Sequence, residues 1–194
     1  MRVVLIGGTS HTGKSTVARA VADRLGFAYR PTDLLARHPG RPWRTPEREV
    51  PPHVAEHYGT LAVDELITSV LDHYDRLWPR IEELITEHAK GEGPGLVLEG
   101  SALWPDRVAG LTVPHTKTVW FTADDTVLAA RIRHSARGEE RSRLVEKFLA
   151  RSVRYQQLMV ESVDAHGLCR LDTSGRSVAE LVAAVLSGPC RQEP

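Results

Sequence analysis

The sequence predicts an α/β fold in which helices cover both faces of a parallel sheet. Three observations carry this prediction. Short apolar segments with strand character alternate along the chain with longer segments whose apolar residues recur at helical spacing. The first apolar segment leads directly into a glycine-rich loop and then into a helix. The length of 194 residues suits one domain with one core, and the chain has no internal repeat.

The amino-terminal quarter predicts the order strand, loop, helix, strand. Arg2 to Ile6 is short, apolar and rich in Val and Leu, as in a buried strand. Gly7 and Gly8 follow, and the segment from Lys14 to Leu25 has one apolar helical face. Phe27 to Arg30 predicts the second strand.

The middle of the chain predicts a long loop and a helical insertion. Arg37 to Pro52 contains five prolines and no periodicity, which indicates a loop that crosses the surface. Leu61 to His88 carries a helical apolar stripe, which Pro79 should kink or split in two.

The second half predicts three more strands alternating with helices. Leu96 to Leu98 is a strand that ends in Glu99-Gly100. The remaining predicted elements are a strand at Thr118 to Thr122, helices from Asp124 to about His134 and from about Ser142 to Ala165, a strand at Leu168 to Leu171, and a closing helix from Ser177. Ser177 with Glu180 three residues later has the form of a capping box.

The charge balance favours small partners. Lys and Arg number 25 and Asp and Glu also number 25, whereas nucleic-acid and membrane surfaces usually require a basic excess. We therefore expect no nucleic-acid and no membrane partner, with a monomer and a homodimer both open. Cys169 and Cys190 have no paired-ligand spacing, which indicates neither a disulfide framework nor a zinc site. Without a cleavable signal or a long apolar run, the expected location is the cytoplasm.

The loop after the first strand carries the clearest chemical signal. Its residues match the phosphate-loop pattern, and a strand before and a helix after are the required context: Gly8, Thr9, Ser10, His11, Thr12, Gly13, Lys14 and Ser15. Backbone amides and the positive end of the following helix make a site for two or three phosphate groups. Lys14 would reach the terminal phosphates, and the Ser15 hydroxyl would bind Mg²⁺. His11 is interpreted as a loop spacer.

Two carboxylates follow predicted strands at the edge where such sheets bind ligands. Glu99 would orient water on the magnesium and border the acceptor, or it is an ordinary acidic residue at a strand end. Asp33 would accept the proton of an attacking hydroxyl, or it is the N-terminal cap of a helix and precedes Leu34 and Leu35 in it.

Two groups of arginines flank these segments. Arg131, Arg133 and Arg137 lie in a cluster that would neutralise phosphoryl oxygens, although a solvated basic helix end is the alternative. A second group would overhang the acceptor and suit a carboxylate or phosphate on it, although a solvated loop explains it equally well: Arg37, His38, Arg41 and Arg44.

These residues resemble a known family over almost the whole chain. Gly7-Gly8-Thr9-Ser10-His11-Thr12-Gly13-Lys14-Ser15-Thr16 and Leu98-Glu99-Gly100 resemble 2-phosphoglycerate kinase-like proteins, and the Gly-Gly start with Asp33 resembles chloramphenicol phosphotransferase. Both belong to the nucleoside-monophosphate-kinase-like group of P-loop small-molecule kinases.

The resemblance implies a three-layer P-loop NTPase fold with a five-stranded parallel sheet in the order 2-3-1-4-5. It implies a single kinase domain over 1–194, a helical acceptor-binding insertion over about 34–92, and a short lid over about 134–142. It places Arg131 against adenine, the loop that contains Thr173 beside the base, and Asp33 as the hydroxyl base.

The expected activity is therefore transfer of the γ-phosphoryl group from ATP, with Mg²⁺, to a hydroxyl of a small molecule. A metabolite or natural product is the preferred acceptor. The alternatives are a nucleotide-hydrolysing switch that acts through a protein partner, and a nucleoside or nucleotide kinase.

Overall fold

The computed structural model describes residues 1–36, 39–45, 49–139 and 142–187. Five strands form one sheet: β1 (Val3–Gly8), β2 (Ala28–Pro31), β3 (Leu96–Glu99), β4 (Thr116–Thr122) and β5 (Arg170–Asp172). Seven α-helices occur in the described ranges: α1 (Lys14–Leu25), α2 (Pro52–Thr60), α3 (Val63–Lys90), α4 (Pro105–Ala109), α5 (Asp125–Ser135), α6 (Arg143–Ala165) and α7 (Val178–Leu186). The strand order is β2-β3-β1-β4-β5, and every pairing is parallel, which confirms the predicted fold class.

Alternate residues of the central strands build two core layers. Leu5, Leu98 and Trp120 point to one face, where they pack with residues of α3 and α6. Val4 and Phe121 point to the other face, where they pack with α1 and α7. Because both faces are covered, the central strands are apolar throughout rather than alternating.

The strand register brings the predicted site residues to one edge of the sheet. Ile6 of β1 lies beside Glu99 of β3, and Gly8 lies beside Phe121 of β4. The loop that follows β1 therefore begins next to the carboxylate that ends β3. Parallel sheets bind ligands at this carboxyl edge, where loops rather than strands decide the chemistry.

A third apolar cluster attaches the helical insertion to the rest of the molecule. Trp43, Tyr58 and Leu66 pack against Ile132 of α5 and Phe148 of α6. Trp43 is only 2% exposed, so the proline-rich segment expected to cross the surface has a buried anchor.

Several elements differ from the sequence predictions. α2 and α4 are short helices that begin at prolines and were not predicted. α3 is one continuous helix through Pro79, whose neighbours Leu77, Trp78 and Ile81 hold it in the core, so the alternative of a split helix was wrong. Cys169, just before β5, is disulfide-bonded, which corrects the expectation from the cysteine spacing. Cys190 lies outside the described residues.

Candidate functional site

The loop from Thr9 to Gly13 connects β1 to α1 and curls over the start of that helix. Gly8 has a φ of +136°, and a Cβ there would lie 2.6 Å from the backbone oxygen of Phe121, so only glycine fits. Gly13 occupies the position before α1, which has no side-chain cap. The first amides of α1 are therefore left for an anion, as in a phosphate-binding helix start.

Lys14 folds back on its own loop. Its ammonium donates to the backbone oxygen of Thr9 over 2.6 Å, and the residue is 7% exposed. Burial lowers its pKa, whereas the charges of Glu99 and Asp33 act in the opposite direction. A buried ammonium near two carboxylates can exchange its hydrogen bond to the Thr9 carbonyl for a stronger hydrogen bond to an anionic acceptor.

Ser15 and Glu99 lie together, as predicted from the two segments. The Ser15 hydroxyl donates to Oε1 of Glu99 over 2.8 Å, and the Tyr29 hydroxyl donates to the same oxygen over 2.9 Å. Burial and then the charge of Glu99 raise the pKa of Tyr29. Since the proton of Ser15 points to Glu99, the lone pairs of its oxygen remain for a cation.

This donor set fits Mg²⁺ brought by a nucleotide. Mg²⁺ prefers oxygen ligands and is usually held by one or two protein groups together with phosphates. Ser15 and Glu99 supply a hydroxyl and a carboxylate at the start of α1. Within the described ranges, no cluster of three or more His, Cys, Asp or Glu side chains could hold a metal ion alone.

Arg131 of α5 joins the phosphate loop to the segment after β5. Its guanidinium donates to the backbone oxygen of His11 and to the hydroxyl of Thr173, both over 3.3 Å. Thr173 is buried and donates to the backbone oxygen of Thr122. The structure thus brings together the two residues that the resemblance assigns to the nucleotide base.

His11 is a neutral packing residue of the loop. Its ring lies near those of Trp43 and Phe148, with centroids 6.0 and 5.9 Å away. Burial, followed by the charges of Arg41, Lys14 and Arg131, lowers its pKa to about 3. Nε2 lies 2.8 Å from the Ser135 hydroxyl, which itself donates to Ile132, so Nε2 is the donor of this pair.

A cavity of about 350 Å³ opens beside the loop. It is lined by residues of the loop, the 3₁₀ turn Thr32–Leu34, the segment 39–45, α3 and α6, and by Ser101 after β3: Ser10, Asp33, Pro39, Gly40, Arg41, Trp43, Thr45, Tyr74, Ser101, Phe148 and Arg151. Two other depressions, of about 290 and 460 Å³, involve α3 and do not include the loop. The cavity that contains Asp33 is therefore the candidate acceptor site.

Asp33 lies inside the 3₁₀ turn rather than before it. The capping position of the turn is Pro31, and no side chain caps it. The alternative of a helix-capping aspartate is therefore wrong. The carboxylate lines the cavity, where its charge also acts on Lys14.

Three of the predicted arginines are exposed and do not line the cavity: Arg44, Arg133 and Arg137. Arg133 pairs with Glu146 over 2.9 Å at an exposed position, and Arg137 is exposed. Arg44 pairs with the exposed Glu49 over 3.6 Å, whereas Arg41 lines the cavity. Arg37 and His38 lie outside the described residues, as do 140 and 141 of the expected lid.

Sequence reasoning missed Arg151, which is 7% exposed and lines the cavity. It lies three residues after Phe148 and four before Tyr155, both buried. A charged residue on the apolar face of α6 was the signal that could have identified it.

No family model matches the chain, and no curated protein matches it. Among solved structures, a gluconokinase from Sinorhizobium meliloti 1021 is similar with a TM-score of 0.55 and 21% identity, over 95% of this chain and 89% of that chain. A deoxyadenosine kinase from M. mycoides with bound dATP has a TM-score of 0.51 and 13% identity, over 95% and 97% of the two chains.

An uncharacterized protein from Eubacterium ventriosum ATCC 27560 has a TM-score of 0.50 and 12% identity, over 95% of each chain. At these identities the similarity concerns the fold. No helix among the described residues has the length and apolar character needed to cross a bilayer. The sheet order, the helices on both faces and these similarities together show that the chain has the P-loop kinase fold.

Proposed function

We propose that the protein transfers the γ-phosphoryl group of ATP to a hydroxyl of a small-molecule acceptor. The observation that carries this proposal is that the phosphate loop forms part of the wall of the candidate acceptor cavity. Ser10 belongs to the phosphate loop and also lines the cavity that holds Asp33. A phosphoryl group bound at the loop would therefore face the acceptor.

The phosphate side would use the loop and the start of α1. The uncapped amides of α1 would bind phosphate oxygens, and Lys14 would exchange the Thr9 carbonyl for them. Ser15 and Glu99 would hold Mg²⁺, which supplies charge neutralisation to the phosphates. Arg131 and Thr173 would border the base.

The acceptor side would use Asp33. The acceptor oxygen forms a bond to the γ-phosphorus while the bond from that phosphorus to the bridging oxygen breaks, and ADP leaves with the electron pair. The hydroxyl proton passes to the Asp33 carboxylate. Water is kept from competing by the apolar wall of Trp43 and Phe148.

The predicted roles of Arg133 and Arg137 in neutralising the phosphoryl group stay predictions. Arg133 would have to leave its pair with Glu146 to act in this way. Arg41 already lines the cavity.

The test is a transfer assay with ATP, Mg²⁺ and pooled hydroxy acids, sugars, nucleosides and alcohols, read by mass spectrometry. We expect at least one acceptor to gain one phosphoryl unit. The Asp33→Asn variant should bind ATP as the wild type does but transfer about 100-fold more slowly or worse. Asp72→Asn, at an exposed position of α3, is the matched control and should be fully active.

The main alternative predicts a different result in the same assay. A nucleotide-hydrolysing switch would release phosphate at a rate that no acceptor changes, and no acceptor would gain mass. Equal transfer by Asp33→Asn and the wild type would remove the proposed base.

A further inference from the structure

The strongest remaining feature is the buried guanidinium of Arg151. Its side chain donates one hydrogen bond, from Nη1 to the Tyr58 hydroxyl over 3.0 Å. Its guanidinium carbon lies 5.6 Å from the centroid of the Phe148 ring. The same side chain lines the candidate acceptor cavity.

Among the described residues, the buried positive charge of Arg151 has no carboxylate beside it. An arginine has five N–H donors, and buried charges are normally paired because their desolvation is costly. Within the described part of the chain, no Asp or Glu oxygen lies within 4 Å of the Arg151 guanidinium. The nearby tyrosines do not supply a negative charge, since burial raises the pKa of Tyr58, and raises that of Tyr74 to about 12.

The charges that line the cavity also favour an anion. Arg41 and Arg151 contribute two positive charges, and Asp33 contributes one negative charge. The phosphate loop has its own buried cation in Lys14. Arg151 lies instead beside Tyr58 of α2 and Phe148 of α6, on the wall that the helical insertion covers.

We infer that the acceptor is a hydroxylated carboxylic acid whose carboxylate pairs with Arg151 while its hydroxyl faces Asp33. This inference rests on the proposed function. Planar guanidinium groups bind carboxylates through two parallel hydrogen bonds, which gives both affinity and orientation. A cavity of about 350 Å³ has room for a small organic acid.

The first experiment compares matched acceptors with the wild-type protein. Hydroxy acids are offered beside the primary amides and the reduced alcohols that share their carbon skeletons. We expect kcat/KM to be at least about 100-fold higher for the acid than for either neutral analogue. A neutral analogue that reacts as well as its acid would overturn the inference and leave the proposed function standing. If no compound of any class gains a phosphoryl group, the proposed function itself fails.

The second experiment uses Arg151→Gln. For the acid, kcat/KM should fall about 100-fold, mainly through a higher KM, while KM for ATP stays within about twofold. The preference for acid over amide should nearly vanish, which a purely structural arginine would not produce. Arg154→Gln is the matched control, because this residue lies three positions later in α6 and its 42% exposed side chain pairs with Asp64.

The same variants separate the acceptor carboxylate from the transferring phosphoryl group. If Arg151 contacts the phosphoryl group, Arg151→Gln will slow transfer to acids and amides equally and lower kcat rather than raise the KM of the acid. That result overturns the inference.

Thermal unfolding gives a readout that needs no acceptor. Tyr58→Phe removes the hydroxyl that accepts the hydrogen bond of Arg151, and Arg151→Met then removes the buried charge itself. We expect this double variant to melt no lower than Tyr58→Phe alone, since replacing buried charge with apolar volume is often stabilising. A clearly lower melting temperature would indicate a structural role and count against the inference.

Discussion

Gly100 connects Glu99, at the carboxyl edge of the sheet, to the proposed base, and Gly100→Ala tests that connection. The residue follows Glu99 and has a φ of +152°. A Cβ at this position would lie 1.8 Å from Oγ1 of Thr32 and 2.9 Å from its Cβ. Thr32 is 1% exposed and directly precedes Asp33, so it cannot move without moving the 3₁₀ turn.

The size of the effect follows from two costs. Holding alanine at this φ costs about 1 to 3 kcal/mol. Forcing an extra carbon into the packed contact with Thr32 costs about 1 to 3 kcal/mol. Together they predict a loss of about 2 to 6 kcal/mol in the free energy of unfolding, and a displaced Asp33 that lowers transfer.

Thr32→Ala should rescue part of this loss. It removes Oγ1 and Cγ2, the atoms that the new methyl group meets at 1.8 and 3.1 Å, but it leaves the backbone strain. We therefore expect the double variant to recover about 1 to 3 kcal/mol relative to Gly100→Ala. Thr32→Ala alone should cost little, because its buried Oγ1 has no hydrogen-bond partner among the described residues.

Urea unfolding of the wild type, the two single variants and the double variant measures these differences in the free energy of unfolding. The transfer assay reports whether the displacement of Asp33 lowers activity. Gly59→Ala is the control, since a Cβ at Gly59 in α2 meets nothing within 4 Å and should leave stability unchanged or higher. Wild-type stability and activity in Gly100→Ala would refute the reasoning, as would a double variant no more stable than the single one.

Three further predictions concern the nucleotide, the pH response and α3. Arg131→Met should weaken nucleotide binding roughly 10-fold in calorimetry through loss of its contacts with His11 and Thr173, and unchanged affinity would contradict that role. Burial is the main cause that lowers the pKa of His11 to about 3 in the folded protein. As the pH falls, His11 is therefore protonated in the unfolded chain before it is protonated in the folded one. The urea midpoint should therefore decrease as the pH falls from about 6.5 to 3, and this decrease should be smaller in the His11→Gln variant. Pro79→Ala should raise the free energy of unfolding by about 1 to 3 kcal/mol, because Pro79 is exposed and alanine restores an amide inside α3; a lower urea midpoint would argue against this.

Patterns among residues close together in the sequence predicted the fold and the phosphate-loop half of the candidate site. The glycine spacing that defines the phosphate loop is a property of consecutive residues, and the capping box of Ser177 and Glu180 is equally local. Glu99 could be placed beside Ser15 because parallel strands end at one edge of the sheet. These arguments require no knowledge of distant contacts.

The other half of the candidate site depends on packing that the sequence does not display. Counting arginines could not tell which of them pair with carboxylates, as Arg44 and Arg133 do. In the sequence, Arg151 cannot be distinguished from the surface charges of α6, because it is buried only by contact with the folded insertion. Trp43 is equally hard to predict, because a single aromatic residue in a proline-rich loop gives no periodic signal.

α6 holds the phosphate loop and the end of β4 at a fixed spacing. The backbone oxygen of Ser152 accepts a hydrogen bond from Thr9, and one turn later the Gln156 amide both donates to and accepts from the backbone of Ala123. A single residue inserted between these positions would rotate one set of contacts against the other by about 100°. The spacing along this helix, more than the identity of most of its side chains, therefore sets how the phosphate loop is aligned with the end of β4.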